Sequence, residues 1–203
     1  MFTRLIIVVF CFCMISGYTQ TAERVGSGRS PRDAVTLLWM MGTRGELLTA
    51  EGWEEASRSL FTKPVPQPGN KVILIRSNNW SLPSEKITGD TAEVRIGFGD
   101  AGQIDSALHY TPPRKSDMPK TVMFYRLIYV RTYRTRRTLY KDGKVEEKKL
   151  PGSMEWKIDG SPDQPWTTVN TAIRYVLEVR EKTKDPVIKK NADQTLAKLL
   201  KLK

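Results

Sequence analysis

Between Lys63 and Asn70 the chain reads KPVPQPGN. Prolines at 64, 66 and 68 remove backbone donors at alternate positions, so this stretch can be neither helix interior nor central strand. It divides the sequence into two regimes. Before it, apolar residues recur with the period of a helix; after it they alternate as in strands. A chain that segregates helices from strands in this way is α+β rather than an alternating β-α-β fold.

The first regime opens at Ser30-Pro31-Arg32-Asp33. Serine is a good N-cap, proline suits the first helical position, and Asp33 can complete a capping box. Ala34, Leu37, Leu38 and Met41 follow on one face, and Gly42 and Gly45 are expected to end the helix. Thr49 is the expected N-cap of a second helix over about 50–60, whose apolar residues are Trp53, Ala56, Leu60 and Phe61. Beyond the prolines, Val72–Ile75 reads as a short strand. In GDTAEVRIGFGD, Ala92, Val94, Ile96 and Phe98 share a face by strict alternation. Asp100-Ala101-Gly102 then reads as a turn, with Ile104, Ser106, Leu108 and Tyr110 on a returning strand.

After the loop TPPRKSDMPK comes the longest strand, about 121–137, apolar on both faces until Val130. Lys141-Asp142-Gly143 signals a hairpin. Met154, Trp156 and Ile158 alternate with Glu155, Lys157 and Asp159 on a last strand with one wet face. Two helices close the chain. One, about 168–182, carries a stripe of Val169, Ala172, Ile173, Val176 and Val179. The other starts at Asp185-Pro186 and turns Ile188, Ala192, Leu196 and Leu199 inward.

The N-terminus supplies a compartment. Arg4 precedes an apolar run from Leu5 to Ile15, followed by small and polar residues. This is the layout of a secretory signal peptide, and the run is shorter than the roughly 20 residues of a transmembrane helix. The expected organisation is a signal peptide over 1–22, a flexible linker over 23–29 and a single α+β domain over 30–203. The expected location is secreted or periplasmic, in a protein of bacterial type. Cys11 and Cys13, the only cysteines, leave with the leader, as does a single cation, so the net charge falls from +11 to about +10.

The order of elements resembles the cone-shaped nuclear-transport-factor-like superfamily, which includes ketosteroid-isomerase-like and SnoaL-like proteins. The resemblance is carried by the helical pair over 30–61, by GDTAEVRIGFGD, by VMFYRLIYVRTY and by MEWKID, and it covers residues 30–159. It implies N-terminal helices packed on a curved, mainly antiparallel sheet. The helical extension over 166–203 departs from the family pattern, which ends on a strand; it is left to cover the sheet or to cap a pocket. Members include isomerases, cyclases, dehydratases and proteins without catalysis. In the ketosteroid-isomerase-like enzymes an acid or histidine inside the cone moves a proton beside a carbonyl, aided by a buried donor such as tyrosine. The resemblance implies Asp105 and His109 for the first role and Tyr125 or Tyr129 for the second.

The residues themselves restrict the chemistry. One histidine and no mature cysteine fall short of a zinc ligand set, so no metal and no cofactor is expected. No GxSxG elbow and no phosphate loop occurs, and GFGDAG (residues 97–102) does not open a helix as a dinucleotide fingerprint does. Asp105 and His109 share strand parity and so project from one face, which is the solvent face if Ile104 and Leu108 are core. The expected ligand-lining residues are Trp39, Trp53, Tyr125, Tyr129 and Trp156, although most tryptophans also suit core packing.

From Arg131 to Lys149 the chain carries eight basic and three acidic residues. On an exported protein, around an Asp-Gly turn, these read as a solvated hairpin with weak anionic-surface contact as the alternative; nucleic acid is not an expected partner. The sequence as a whole points to a non-catalytic exported domain that binds a small apolar or amphipathic ligand or a partner protein, with room for a homodimer. The alternatives are a small lyase or isomerase and a basic module for anionic lipid or glycan surfaces.

Overall fold

Ser30 stands in extended geometry; its hydroxyl accepts the Asp33 N–H at 3.1 Å, and the Asp33 carboxylate accepts the Ser30 N–H at 3.2 Å. This reciprocal box, with Pro31 behind it, starts helix α1 (Pro31–Arg44) in a computed structural model that describes residues 29–69, 72–113, 121–140 and 144–203. The expected leader, the expected linker as far as residue 28 and the expected hairpin turn at Lys141–Gly143 lie outside the described residues. Helix α1 continues through Gly42 and stops only at Gly45, whose φ of 85° is left-handed. One 3-10 turn (Glu46–Leu48) leads to α2 (Ala50–Leu60), where the Thr49 hydroxyl accepts the Gly52 N–H at 3.1 Å. Lys157 covers the far end of α2, its Nζ donating to the Arg58 and Ser59 carbonyls at 2.7 and 2.8 Å, where the helix dipole favours a cation.

The strands are β1 (Ile73–Trp80), β2 (Ser84–Thr88), β3 (Thr91–Ile104), β4 (Tyr110–Thr111), β5 (Thr121–Leu139), β6 (Val145–Ile158) and β7 (Trp166–Thr168). They form one curled, half-barrel sheet in the order β6-β5-β3-β1-β7, with β2 and β4 also paired to β3. Every pairing is antiparallel except β1 with β7. The fold is α+β, with α3 (Val169–Lys182) and α4 (Pro186–Leu199) at its C-terminal end. No helix among the described residues is long and apolar enough to cross a membrane.

Two of the expected elements are corrected. Asp100-Ala101-Gly102 is not a turn: β3 runs through it and ends at Ile104. Ile75 pairs with Gly102 and Arg76 with Asp100, so Ala101 is an extra residue, a bulge inside the strand. Gly102 takes φ 98°, and its N–H is accepted by Asp100 Oδ1 at 3.1 Å. These are turn-forming residue types, here absorbed by a bulge. Nor do residues 104–110 form a returning strand. Residues 105–109 make a tight turn and only Tyr110–Thr111 pair back, as β4.

The bulge divides β3 between two cores. Ala92, Val94, Ile96 and Phe98 pack with α1 and α2, while Ala101 and Ile104 pack with α3 and α4. Strand β1 alternates in the same way, Leu74 belonging to the first core and Ile75 to the second. The C-terminal helices thus cover the second face of the sheet. Their stripe is as the periodicity requires: Val169, Ala172, Val176, Ala192, Leu196 and Leu199 are all buried.

Strand β5 pairs with β3 as far as Ile128; from Tyr129 to Leu139 its strand partner among the described residues is β6. The apolar beginning of LIYVRTYRTRR therefore belongs to the sheet, with Leu127 wholly buried, and its basic end to a projecting ribbon on which Arg131, Tyr133, Arg136 and Arg137 are exposed.

Candidate ligand cavity

Between α1, α2 and the inner face of the sheet lies a cavity of about 310 Å³. Trp39 reaches it from α1 and Trp53 from α2, each 1% exposed; Trp166 enters from β7. Trp39 is the centre of an aromatic cluster, with ring centroids 5.0 Å from Phe98, 4.5 Å from Trp166 and 5.7 Å from Trp80. The N–H groups of Trp39 and Trp53 are satisfied. Trp53 Nε1 donates to the Val65 carbonyl at 3.0 Å, in the proline connector, and Trp39 Nε1 donates to the Tyr125 hydroxyl at 3.2 Å. The connector is therefore tied to the cavity wall by a donor of the second helix.

Seven polar side chains lie along the lining, five of them exposed at the rim; the two that are not exposed are Tyr125 and Arg76. Tyr125 projects from β5 by the same parity that turns Met123 and Leu127 inward. Burial pushes its phenol up to about 12, against the opposing effects of Trp39 and Arg76, so it remains protonated and a donor at neutral pH. Arg76 lies on β1 two residues beyond Leu74, and strand alternation turns both side chains to the cavity face. It is 11% exposed, its Cζ stands 4.4 Å over the Phe98 ring and its Nη1 is 3.8 Å from Asp100 Oδ1. Burial lowers its pKa, while Asp100 and Tyr125 oppose the shift. At the rim, Arg126 faces Asp159 at 3.8 Å, beside the Ser161–Gln164 loop. A second depression, between α2 and the connector, is a more open groove bordered by exposed Glu54 and Arg58.

The residues expected to line a ligand site thus separate. Trp39, Trp53 and Tyr125 come together in the cavity. Tyr129 and Trp156 do not reach it: they pair with each other, 5.0 Å between centroids, at the root of the ribbon. Arg76 and Trp166 are the additions. An arginine in a strand reads as a solvent-facing residue, although the alternation of β1 puts Arg76 on the same face as Leu74; Trp166 sits on a strand too short to show alternation.

Asp105 and His109 stand on the turn between β3 and β4, and neither lines the cavity that holds Tyr125. Their shared strand parity is corrected, since neither is in a strand. Asp105 Oδ1 accepts the N–H groups of Ala107 and His109 at 3.0 and 2.8 Å, and Oδ2 lies 3.2 Å from His109 Nδ1. Both side chains are about half exposed, at 47% and 59%. Burial acts to raise the Asp105 carboxyl, but the hydrogen bonds from His109 outweigh it and hold it below the ordinary carboxylate range. The geometry is that of a side chain fixing its own turn. Among the described residues, no group of three His, Cys, Asp or Glu side chains could hold a metal ion.

The fold and cavity define an α+β domain with an apolar, tryptophan-walled recess carrying two inward donors. The chain matches no protein-family model, no curated protein and no solved structure.

Proposed function

We propose that this chain is an exported, non-catalytic domain that holds a small apolar or amphipathic molecule in the Trp39–Trp53 cavity. The observation that carries the reading is the recess itself. Its volume falls at the small end of ligand pockets, which run from roughly 300 to 1,000 Å³, and its apolar walls with a few inward polar groups are the usual composition of such sites. Export is supported by the residues of the first segment, and the cone-like family by the order of elements and by helices α1 and α2 over one face of a curled sheet. A lyase or isomerase draws no support from the geometry, because the acid and the histidine stand on an exposed turn away from Tyr125.

The neutral probe N-phenyl-1-naphthylamine tests the reading. Its fluorescence should rise on mixing with the protein and fall back with Ala56→Leu, which adds bulk to the lining. No rise, or a rise indifferent to that substitution, overturns it.

The ribbon supports a second reading, contact with anionic lipid. Arg136 and Lys148 stand directly opposite each other in its register, a like-charge pairing that destabilises strands and that an anionic surface would relieve. Sedimentation with phosphatidylcholine vesicles, with and without phosphatidylserine, decides it. Binding should require phosphatidylserine and disappear at high salt; retention on neutral vesicles excludes the reading.

A further inference from the structure

We infer that the cavity selects an anionic amphiphile, its apolar body seated among Trp39, Trp53 and Phe61 and its carboxylate or comparable oxyanion held by Arg76 and Tyr125. The inference rests on the ligand-binding reading above and names the chemistry of the guest.

An arginine set in an apolar wall is costly unless its charge and its donors are met. The charge of Arg76 is met in part by Asp100, at 3.8 Å, and by the face of Phe98. Its donors are not: among the described residues the guanidinium makes no hydrogen bond, and none of its nitrogens is sealed from space. The guanidinium of a lining residue therefore keeps donors without a hydrogen-bond partner, and a carboxylate is the group whose two oxygens fit its planar fork. Tyr125 adds a second donor. Its oxygen already accepts from Trp39, so the hydroxyl proton is left for an acceptor in the recess. Both groups donate and neither is a base, which favours an oxyanion over an ammonium.

The surrounding acids do not cancel this preference. Asp100 is joined to Arg76 and Asp159 to Arg126. Asp163 is exposed on the rim; its charge reaches Tyr125, but as the smallest of the influences on that phenol and behind the opposing charge of Arg76. The volume suits one acyl chain or a small ring system rather than a two-chain lipid.

Displacement of N-phenyl-1-naphthylamine by decanoate, decanol and decyltrimethylammonium separates the possibilities. Decanoate should displace the probe at concentrations at least about tenfold lower than decanol, as charge-assisted hydrogen bonds require, and the cation should be the weakest. Arg76→Gln should remove the advantage of decanoate while leaving decanol within about twofold. Arg76→Lys, which keeps the charge that balances Asp100, covers the case in which the glutamine variant does not fold. It should retain only part of the preference, because an ammonium lacks the bidentate fork. Equal displacement by decanoate and decanol overturns the inference and leaves the ligand-binding reading standing. A decanoate preference untouched in both variants assigns the head group to other residues and also overturns it. Failure of the probe itself to bind removes the reading beneath.

Discussion

The indole of Trp166 packs directly on the backbone of α1 at Gly42: a Cβ placed there would lie 2.3 Å from the ring's Cη2. The same helix carbonyl accepts the Thr167 hydroxyl at 2.9 Å, so β7 is keyed to α1 by one ring and one hydrogen bond. Gly42→Ala sets two effects in opposition. Alanine favours a helix interior by about 0.5–1 kcal/mol, whereas overpacking against a rigid buried ring costs about 1–3 kcal/mol. The clash wins, and Gly42→Ala should lower the thermal midpoint. A midpoint equal to or above that of the parent would place the indole elsewhere.

Tyr125 makes stability depend on alkaline pH. Its phenol is at about 12 in the folded protein against the ordinary 10.0. Below pH 10 both states hold the proton and the contribution is complete; between 10 and 12 the unfolded chain alone releases it, so stability falls through that window. The loss amounts to about 2–3 kcal/mol, at 1.36 kcal/mol per unit. Urea unfolding at pH 9, 10 and 11 should show a steeper decline for the parent than for Tyr125→Phe. Parallel declines would mean that Tyr125 is not the group concerned.

Leu108 has a left-handed backbone, φ 62°, and is buried to 2% exposure. Its carbonyl accepts the Thr195 hydroxyl at 2.6 Å, and the Ala107 carbonyl accepts Asn191 Nδ2 at 2.9 Å, so α4 holds the turn in its strained form. Thr195→Val keeps the volume and strands a buried carbonyl, at a cost of about 1–3 kcal/mol. Chemical denaturation measures it; unchanged stability would show that the turn holds itself.

Gly102→Ala should be among the most damaging single-methyl changes in the chain. The added carbon would stand 2.3 Å from the Thr111 carbonyl oxygen, in a residue at φ 98°. Left-handed strain and overpacking against backbone together come to about 3 kcal/mol. Circular dichroism melts provide the comparison, and a variant within 1 °C of the parent would remove the bulge from consideration.

Local signals were readable where one residue type performs one task. Ser30-Pro31-Asp33 and Asp185-Pro186 mark the starts of α1 and α4 because a cap is a local contact, and Asp185 does accept from Val187 and Ile188. Strand β2 was not readable, since all five of its residues are exposed and show no apolar alternation. Asp100-Ala101-Gly102 misleads because a turn and a bulge use the same residues, and only the partner strand distinguishes them. The cavity shares that difficulty. Trp39, Trp53 and Tyr125 declare themselves by size and spacing, but Arg76, although it shares the face of Leu74 in β1, is a charged residue type that reads as solvent-facing until the tertiary fold closes α1 and α2 over that face.

The bulged register of β3 has a consequence for length. Ala101 is the single residue by which β3 changes sides, sending Phe98 to one core and Ile104 to the other. Removing or adding one residue there would exchange inside for outside along the remainder of the strand, while a change of two would preserve it. Length variation in this segment is therefore governed by parity: even steps keep both cores filled, and odd steps empty one of them.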